Sequence, residues 1–152
     1  MVGISLPIWR GKLRAGVADA QAMRAIECEP IKFEMVVRGY LTGSSSTSIW
    51  RAYERGDRSF CGHSLPDGLV CHQQLPHNIV TPTTKAEKGE HDQNASKAEL
   101  VAAGVIDADL FDELEQRCLK LFAFGQQRAA ERGLILVDTK YELGRRPDGG
   151  LV

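Results

Sequence analysis

Ile31-Lys32-Phe33-Glu34-Met35-Val36-Val37-Arg38-Gly39-Tyr40-Leu41-Thr42-Gly43-Ser44 is the first strongly patterned stretch of the chain. Ile31, Phe33, Met35 and Val37 occupy one parity, and Lys32, Glu34, Val36 and Arg38 the other. A period of two predicts a half-buried strand that ends at Gly39. Lys32, Glu34 and Arg38 then share one face, where an acid and a base also suit a purely structural cross-strand pair. Thr42-Gly43-Ser44-Ser45-Ser46 follows directly. A glycine flanked by hydroxyls after a strand can present backbone N–H groups to an anion. The same residue types suit a helix cap, with Ser46 or Ser48 starting a short helix through Trp50, Tyr53 and Arg55 that Gly56 closes. On residue types alone both readings stand.

Upstream, residues 1–27 are weakly patterned. Gly11-Lys12-Leu13-Arg14 lacks the second glycine and the Lys-Ser/Thr ending of a phosphate-binding P-loop, so it reads as a solvated basic turn. Ala15 to Ala25 reads as a short helix with a thin apolar face. Downstream, residues 56–84 read as loops and short strands, with Ile79-Val80 a brief apolar pair before Thr81-Pro82-Thr83-Thr84. Cys61, His63, Cys71 and His72 could all ligate zinc, but their spacing matches no common structural zinc pattern, and unligated side chains in a loop-rich stretch are the preferred reading. The polar run Lys85 to Asn94 is a solvated surface by composition, and also the kind of loop where substrate-binding groups sit.

The helices come next. Ser96 and Glu99 form a capping box for a helix from Lys97 to about Ala103, ended by Gly104. Asp107 caps a longer helix reaching Arg132, with Gly133 beyond its end. Leu110, Leu114, Cys118, Leu121, Phe122 and Gly125 are its expected buried stripe. Leu134 to Val137 reads as a buried strand running into Asp138-Thr139-Lys140-Tyr141-Glu142-Leu143. Asp138, Lys140 and Glu142 share a parity, so they line one face of an extended segment. Carboxylates flanking a lysine suit a magnesium-phosphate site, and equally a surface ladder of alternating charge. Arg145 to Gly150 reads as a tight turn, with Leu151-Val152 opening a return strand.

Composition narrows the class. With 152 residues, 43% hydrophobic and 26% charged, the chain suits one soluble globular domain. A net charge of −1 argues against a dedicated nucleic-acid binder. No apolar run approaches the roughly 20 residues of a membrane span, so no membrane partner is expected. Met1 to Pro7 lacks the basic start and apolar stretch of a secretory signal, which predicts a cytoplasmic protein.

Three ordered motifs resemble the phosphoribosylaminoimidazole-succinocarboxamide synthase (SAICAR synthetase) family. Glu34-Met35-Val36-Val37-Arg38-Gly39-Tyr40-Leu41-Thr42-Gly43-Ser44 is similar to its Glu-x-Ile/Val-x-Arg-x-x-x-Thr-Gly-Ser signature. Thr81-Pro82-Thr83-Thr84-Lys85-Ala86, leading to Glu90-His91-Asp92, resembles the second. Val137-Asp138-Thr139-Lys140-Tyr141-Glu142-Leu143-Gly144 resembles Asp-x-Lys-x-Glu-Phe-Gly, with Leu143 in place of the aromatic. Ser46 to Trp50 and the Cys61-Gly62 turn resemble one branch of the family. The resemblance covers about residues 26 to 152, giving a weakly patterned segment at 1–27 and a partial domain at 28–152.

The resemblance implies an α+β fold, an antiparallel sheet with flanking helices, and an ATP-dependent ligase of purine biosynthesis. ATP would activate the carboxylate of carboxyaminoimidazole ribotide as an acyl phosphate, which L-aspartate attacks to give SAICAR, ADP and phosphate. By the same resemblance Arg38, Gly43 and Ser44 bind the ribotide, with Arg38 and Ser44 on its phosphate. His91 and Asp92 lie by the imidazole carboxylate, its magnesium or the incoming aspartate. Lys85, Lys140 and Glu142 bind ATP, Glu142 and Asp138 hold Mg2+, and Lys140 and Asp92 are the catalytic pair. The family pattern also has a Gly-Lys-x-Arg-Asp loop before the first motif and an Asp-Glu-x-x-Thr-Pro-Asp-Ser-Ser-Arg motif after the hairpin. Neither is present in this sequence, so the expectation is a form truncated at both ends with an incomplete nucleotide-binding lobe. The alternative is a catalytically incomplete module that binds ribotide phosphate or nucleotide, or self-associates as a homo-oligomer.

Overall fold

The computed structural model describes residues 25–84 and 93–152. In chain order these form β1 (Glu29–Pro30), β2 (Phe33–Tyr40), α1 (Ile49–Glu54), β3 (Ser59–Phe60), β4 (His63–Ser64) and β5 (Gln74–Thr84), then β6 (Gln93–Asn94), α2 (Lys97–Ala102), α3 (Ala108–Ala130), β7 (Asp138–Tyr141) and β8 (Gly144–Arg145). The basic turn Gly11 to Arg14 lies outside the described residues, as does the Ala15 to Ala25 helix apart from its last residue. The described residues fall into two compact units, residues 32–84 with 93–141, and residues 25–31 with 142–152.

In the larger unit the alternating stretch is β2, at the centre of a four-stranded antiparallel sheet of order β6-β5-β2-β7. Its pleat sorts the sequence. Phe33, Met35 and Val37 point to one face, where Phe111, Leu114, Cys118 and Phe122 of α3 are also buried. The rings of Phe33 and Phe111 stack at a centroid distance of 6.2 Å. Burying each such side chain stabilises the fold by about 1.5–3 kcal/mol. The buried stripe of α3 differs in part from expectation. Phe111 joins Leu114, Cys118 and Phe122 on one line, while Leu110 and Leu121 are only half-buried. Asp107 caps α3, accepting from the Leu110 N–H at 2.8 Å, and Ser96 with Glu99 makes the expected capping box of α2.

A second small core lies beneath α1, where Leu41, Ile49, Ala52, Tyr53, Phe60, Leu65, Leu75 and Ile79 pack together. Ser48 caps that helix, and Gly56 follows its end with φ +103°.

Two segments depart from expectation. Residues 74–84, expected as loop and short strand, form an 11-residue strand. Pro76, Asn78 and Pro82 disguise it. Pro82 accepts from the Ala95 N–H at 2.9 Å, and the N and C=O of one strand residue face the same side, so its missing N–H faces β6 and costs nothing in the β2 ladder. Leu134 to Val137, expected as a buried strand, is not a strand, and Leu134 and Ile135 are 63% and 69% exposed. The helix ending captures this segment: Gly133 (φ +69°) donates to Ala130 O and Leu134 to Ala129 O. Val137 O accepts from the Gly39 N–H at 2.9 Å, and the residue register with β2 begins at Arg38↔Asp138.

In the smaller unit β1 pairs with β8, Glu29 opposite Arg145 and Pro30 opposite Gly144. Gly144 and Val152 exchange backbone hydrogen bonds of 2.8 and 2.9 Å around the Arg146–Gly149 turn, which is the expected turn and return strand. Among the described residues, no helix is long and apolar enough to cross a membrane.

Candidate functional site

Directly opposed residues of antiparallel strands share a face. The register Glu34↔Thr83, Val36↔Thr81, Val36↔Lys140 and Arg38↔Asp138 therefore assembles six polar side chains on the sheet face opposite α3. This is a solvent-edge arrangement with a buried root. Glu34, Thr81 and Thr83 are buried, Arg38 is half-buried, and Asp138 and Lys140 are exposed.

The contacts form two pairs. Arg38 Nη1 lies 3.5 Å from Asp138 Oδ2, and Arg38 Nε donates to Thr81 Oγ1 at 2.9 Å. The Thr81 hydroxyl in turn donates to Val36 O at 3.2 Å. Lys140 Nζ lies 2.6 Å from Glu34 Oε2, and Thr83 Oγ1 donates to the same oxygen at 3.4 Å. Burial holds the Arg38 guanidinium below its ordinary pKa, while Asp138 and then Cys61 push it up. Arginine nevertheless remains cationic at physiological pH. The face thus holds two cations, Arg38 on β2 and Lys140 on the neighbouring strand opposite Val36, two residues along from Arg38 or roughly 6.6 Å at the backbone. Arg38 is anchored by Asp138 and Thr81, and Lys140 by Glu34, which also accepts from Thr83, an arrangement suited to phosphate oxygens.

The Thr-Gly-Ser turn follows β2. Gly43 adopts φ +115°, and a Cβ there would lie 2.5 Å from Ser48 Cβ, so only glycine fits. Capping of α1 belongs to Ser48, which accepts from the Arg51 N–H at 3.4 Å, and Ser44 is exposed outside the cap. The turn is tied down by Thr42 Oγ1, 2.7 Å from His72 Nδ1, and by the His72 N–H donating to Leu41 O. His72 adopts φ +67°, unusual for a non-glycine residue.

Of the site residues expected from sequence, the fold brings Arg38, Asp138 and Lys140 together on one face, with Gly43 and Ser44 in the turn that follows the same strand. Lys85, His91 and Asp92 lie outside the described residues. Glu142 is exposed and belongs to the smaller unit. Thr81 and Thr83 escaped the sequence reading as members of this polar face, and His72 as the residue that ties down the turn after β2. Two hydroxyls at alternate positions of an extended segment were the available signal for the threonines. Among the described residues no three His, Cys, Asp or Glu side chains converge as a metal cluster. The former zinc candidates have other partners or states. His63 Nε2 contacts Val80 O at 2.7 Å, His72 holds Thr42, and burial pushes the Cys61 thiol up to about 11.

Comparison with known proteins follows the same line. A sequence profile described as SAICAR synthetase matches residues 10–152. The chloroplastic phosphoribosylaminoimidazole-succinocarboxamide synthase of Arabidopsis thaliana is 49% identical over 134 residues, covering 88% of this chain and 32% of that protein. The Bacteroides fragilis synthase is 50% identical over 127 residues, covering 84% of this chain and 39% of that one. The chain therefore spans well under half the length of these relatives. Among solved structures, the Saccharomyces cerevisiae SAICAR synthase complexed with SAICAR superposes with a TM-score of 0.69 at 30% identity, over 84% of this chain and 39% of that one. A SAICAR synthetase in complex with ADP superposes with a TM-score of 0.60 at 26% identity, over 84% and 46%. The profile match over most of the chain and the relatives at 49% and 50% identity show that this chain belongs to the SAICAR synthetase family.

Proposed function

We propose that the chain carries the ribotide- and phosphate-binding sheet of an ATP-dependent ligase that joins L-aspartate to the carboxylate of carboxyaminoimidazole ribotide. The observation that supports it most is the sheet face on which Arg38 is held by Asp138 and the Thr81 hydroxyl, and Lys140 by Glu34, whose carboxylate also accepts from Thr83. Arg38, with the Gly43-Ser44 turn, receives the ribotide phosphate. A guanidinium braced at Nε by Thr81 is oriented before the ligand arrives, which reduces the ordering cost of binding. Lys140 receives nucleotide phosphate or the activated carboxylate, neutralising charge as it develops.

Asp138 and Glu142 stay assigned to Mg2+ by family resemblance, since carboxylate oxygens suit a hard cation that would neutralise nucleotide phosphates. Lys85, His91 and Asp92 stay assigned to the nucleotide and to the acceptor carboxylate and aspartate by family resemblance. Cytoplasmic action and self-association remain part of the same proposal. Catalysis on this face is positioning and charge neutralisation, with no nucleophilic side chain.

The test incubates the full chain with the ribotide, L-aspartate and MgATP, following ADP release while calorimetry measures ribotide affinity. ADP release dependent on aspartate is expected. Arg38→Ala should weaken ribotide binding at least about tenfold, since a charge-assisted bond contributes roughly 1.5–3 kcal/mol. Ribotide binding without turnover would reduce the protein to a binding module. An unchanged affinity in Arg38→Ala would remove the assignment of this face.

A further inference from the structure

We infer that Glu34 is a positioning residue for Lys140, steering its ammonium along the sheet face so that Lys140 and Arg38 act as separate phosphate-binding groups. The inference rests on the proposed nucleotide role of Lys140 and deepens it.

The argument begins with register. The residue directly opposite Lys140 is Val36, not Glu34. Lys140 therefore reaches diagonally along β2 to put Nζ 2.6 Å from Glu34 Oε2. Diagonal neighbours across a sheet stand about 7–8 Å apart at the backbone, within reach of a lysine stem. A second carboxylate was available on its own strand. Asp138 lies two residues away on the same face, about 6.6 Å along the strand. That carboxylate instead faces Arg38, at 3.5 Å. Glu34 thus draws Lys140 away from Asp138 and leaves Asp138 to Arg38. Two mixed pairs result, one at each end of the face.

Burial shows which partner is the fixed one. The Glu34 side chain is 5% exposed and that of Lys140 50%. Glu34 is further held by the Thr83 hydroxyl at 3.4 Å, on a neighbouring strand. A lysine side chain carries about 2 kcal/mol of rotamer entropy, and a rooted carboxylate lowers the cost of ordering it on a ligand. An ammonium has three N–H donors, so contact with Glu34 does not exhaust it. Stabilising the sheet alone requires no such diagonal reach, because direct pairing opposite Val36 was open to an acidic residue.

The experiment is a double-mutant cycle on the full chain, with MgADP affinity measured by calorimetry and folding checked by urea denaturation. Lys140→Ala is expected to weaken MgADP binding about tenfold or more. Glu34→Gln should lose several-fold in the parent chain and nothing further in the Lys140→Ala background. Glu34→Asp keeps the buried charge but withdraws it by one methylene, so the cycle survives if Glu34→Gln does not fold. It should show a smaller loss, again absent without Lys140. Losses that add in the double variant would overturn the inference, since Glu34 would then act independently of Lys140. Unchanged affinity in both Glu34 variants, alongside a weakened Lys140→Ala, would overturn it while sparing the nucleotide role of Lys140. An unchanged Lys140→Ala, or no MgADP binding by the parent chain, would overturn both.

Discussion

At Thr81 one hydroxyl serves two partners, accepting from Arg38 Nε at 2.9 Å and donating to Val36 O at 3.2 Å. The residue is fully buried. Thr81→Val keeps the shape but leaves the guanidinium without that acceptor and the carbonyl without that donor. Loss of buried hydrogen bonds of this kind should cost about 1–3 kcal/mol, read as a lower urea midpoint with an unchanged slope. A midpoint equal to that of the parent would contradict the brace. Arg38 was legible as a site candidate through the family-like motif, and Asp138 and Lys140 also through charged residues repeating at alternate positions of one strand. Their partners were not legible. Thr81 and Thr83 sit in a Pro-containing run whose strand character is hidden, and the role of Glu34 depends on which residue of another strand lies diagonal to it.

Among the elements, the helices are the most readable from sequence. The Asp107 cap, the Ser96 and Glu99 box and the glycines after the helix ends all stand where local pattern places them, since capping joins residues only two or three apart. Asp107→Ala should therefore destabilise the protein by about 1 kcal/mol, within a range of 0.5–2, and Asp107→Asn should recover most of it. Thermal denaturation followed by circular dichroism measures this, and equal midpoints for all three proteins would show that the cap contributes nothing. The strands were read less evenly. β2 has uninterrupted alternation and was plain. β5 was obscured by Pro76, Asn78 and Pro82, whose local preferences are overruled by pairing with β2. Leu134 to Val137 failed in the opposite sense. Four apolar residues in a row promise burial, but the helix ending takes the first of them, and contact with β2 starts at the carbonyl of the last, which accepts from the Gly39 N–H.

For the whole molecule, buried thiols link folding to pH. Burial pushes Cys61 up to about 11 and Cys118 up to about 12, and raises Tyr141 in the same direction. Unfolded, the thiols release their protons near the ordinary value of 9.0. Above that value the folded chain holds more protons than the unfolded one, so the unfolding free energy falls as pH rises. The contribution is fully present below about pH 9 and is lost as the pH climbs through the folded values. Urea titrations at about pH 8 and pH 10.5 should show the fall, and Cys61→Ala should reduce it. Equal pH dependence in the two proteins would mean that Cys61 is not shielded in the fold. At this scale the division between chain and fold is clear. Neighbouring residues sufficed for the helix boundaries, the β2 strand and the three family-like motifs, because periodicity, capping and turn chemistry are local interactions, and the α+β class followed from the resemblance those motifs carry. The pairing of Arg38 with Asp138, the rooting of Lys140 on buried Glu34 and the strand character of residues 74–84 came only with the assembled sheet. Those features depend on register between segments far apart along the chain, and register is set by burial of one whole sheet face against α3.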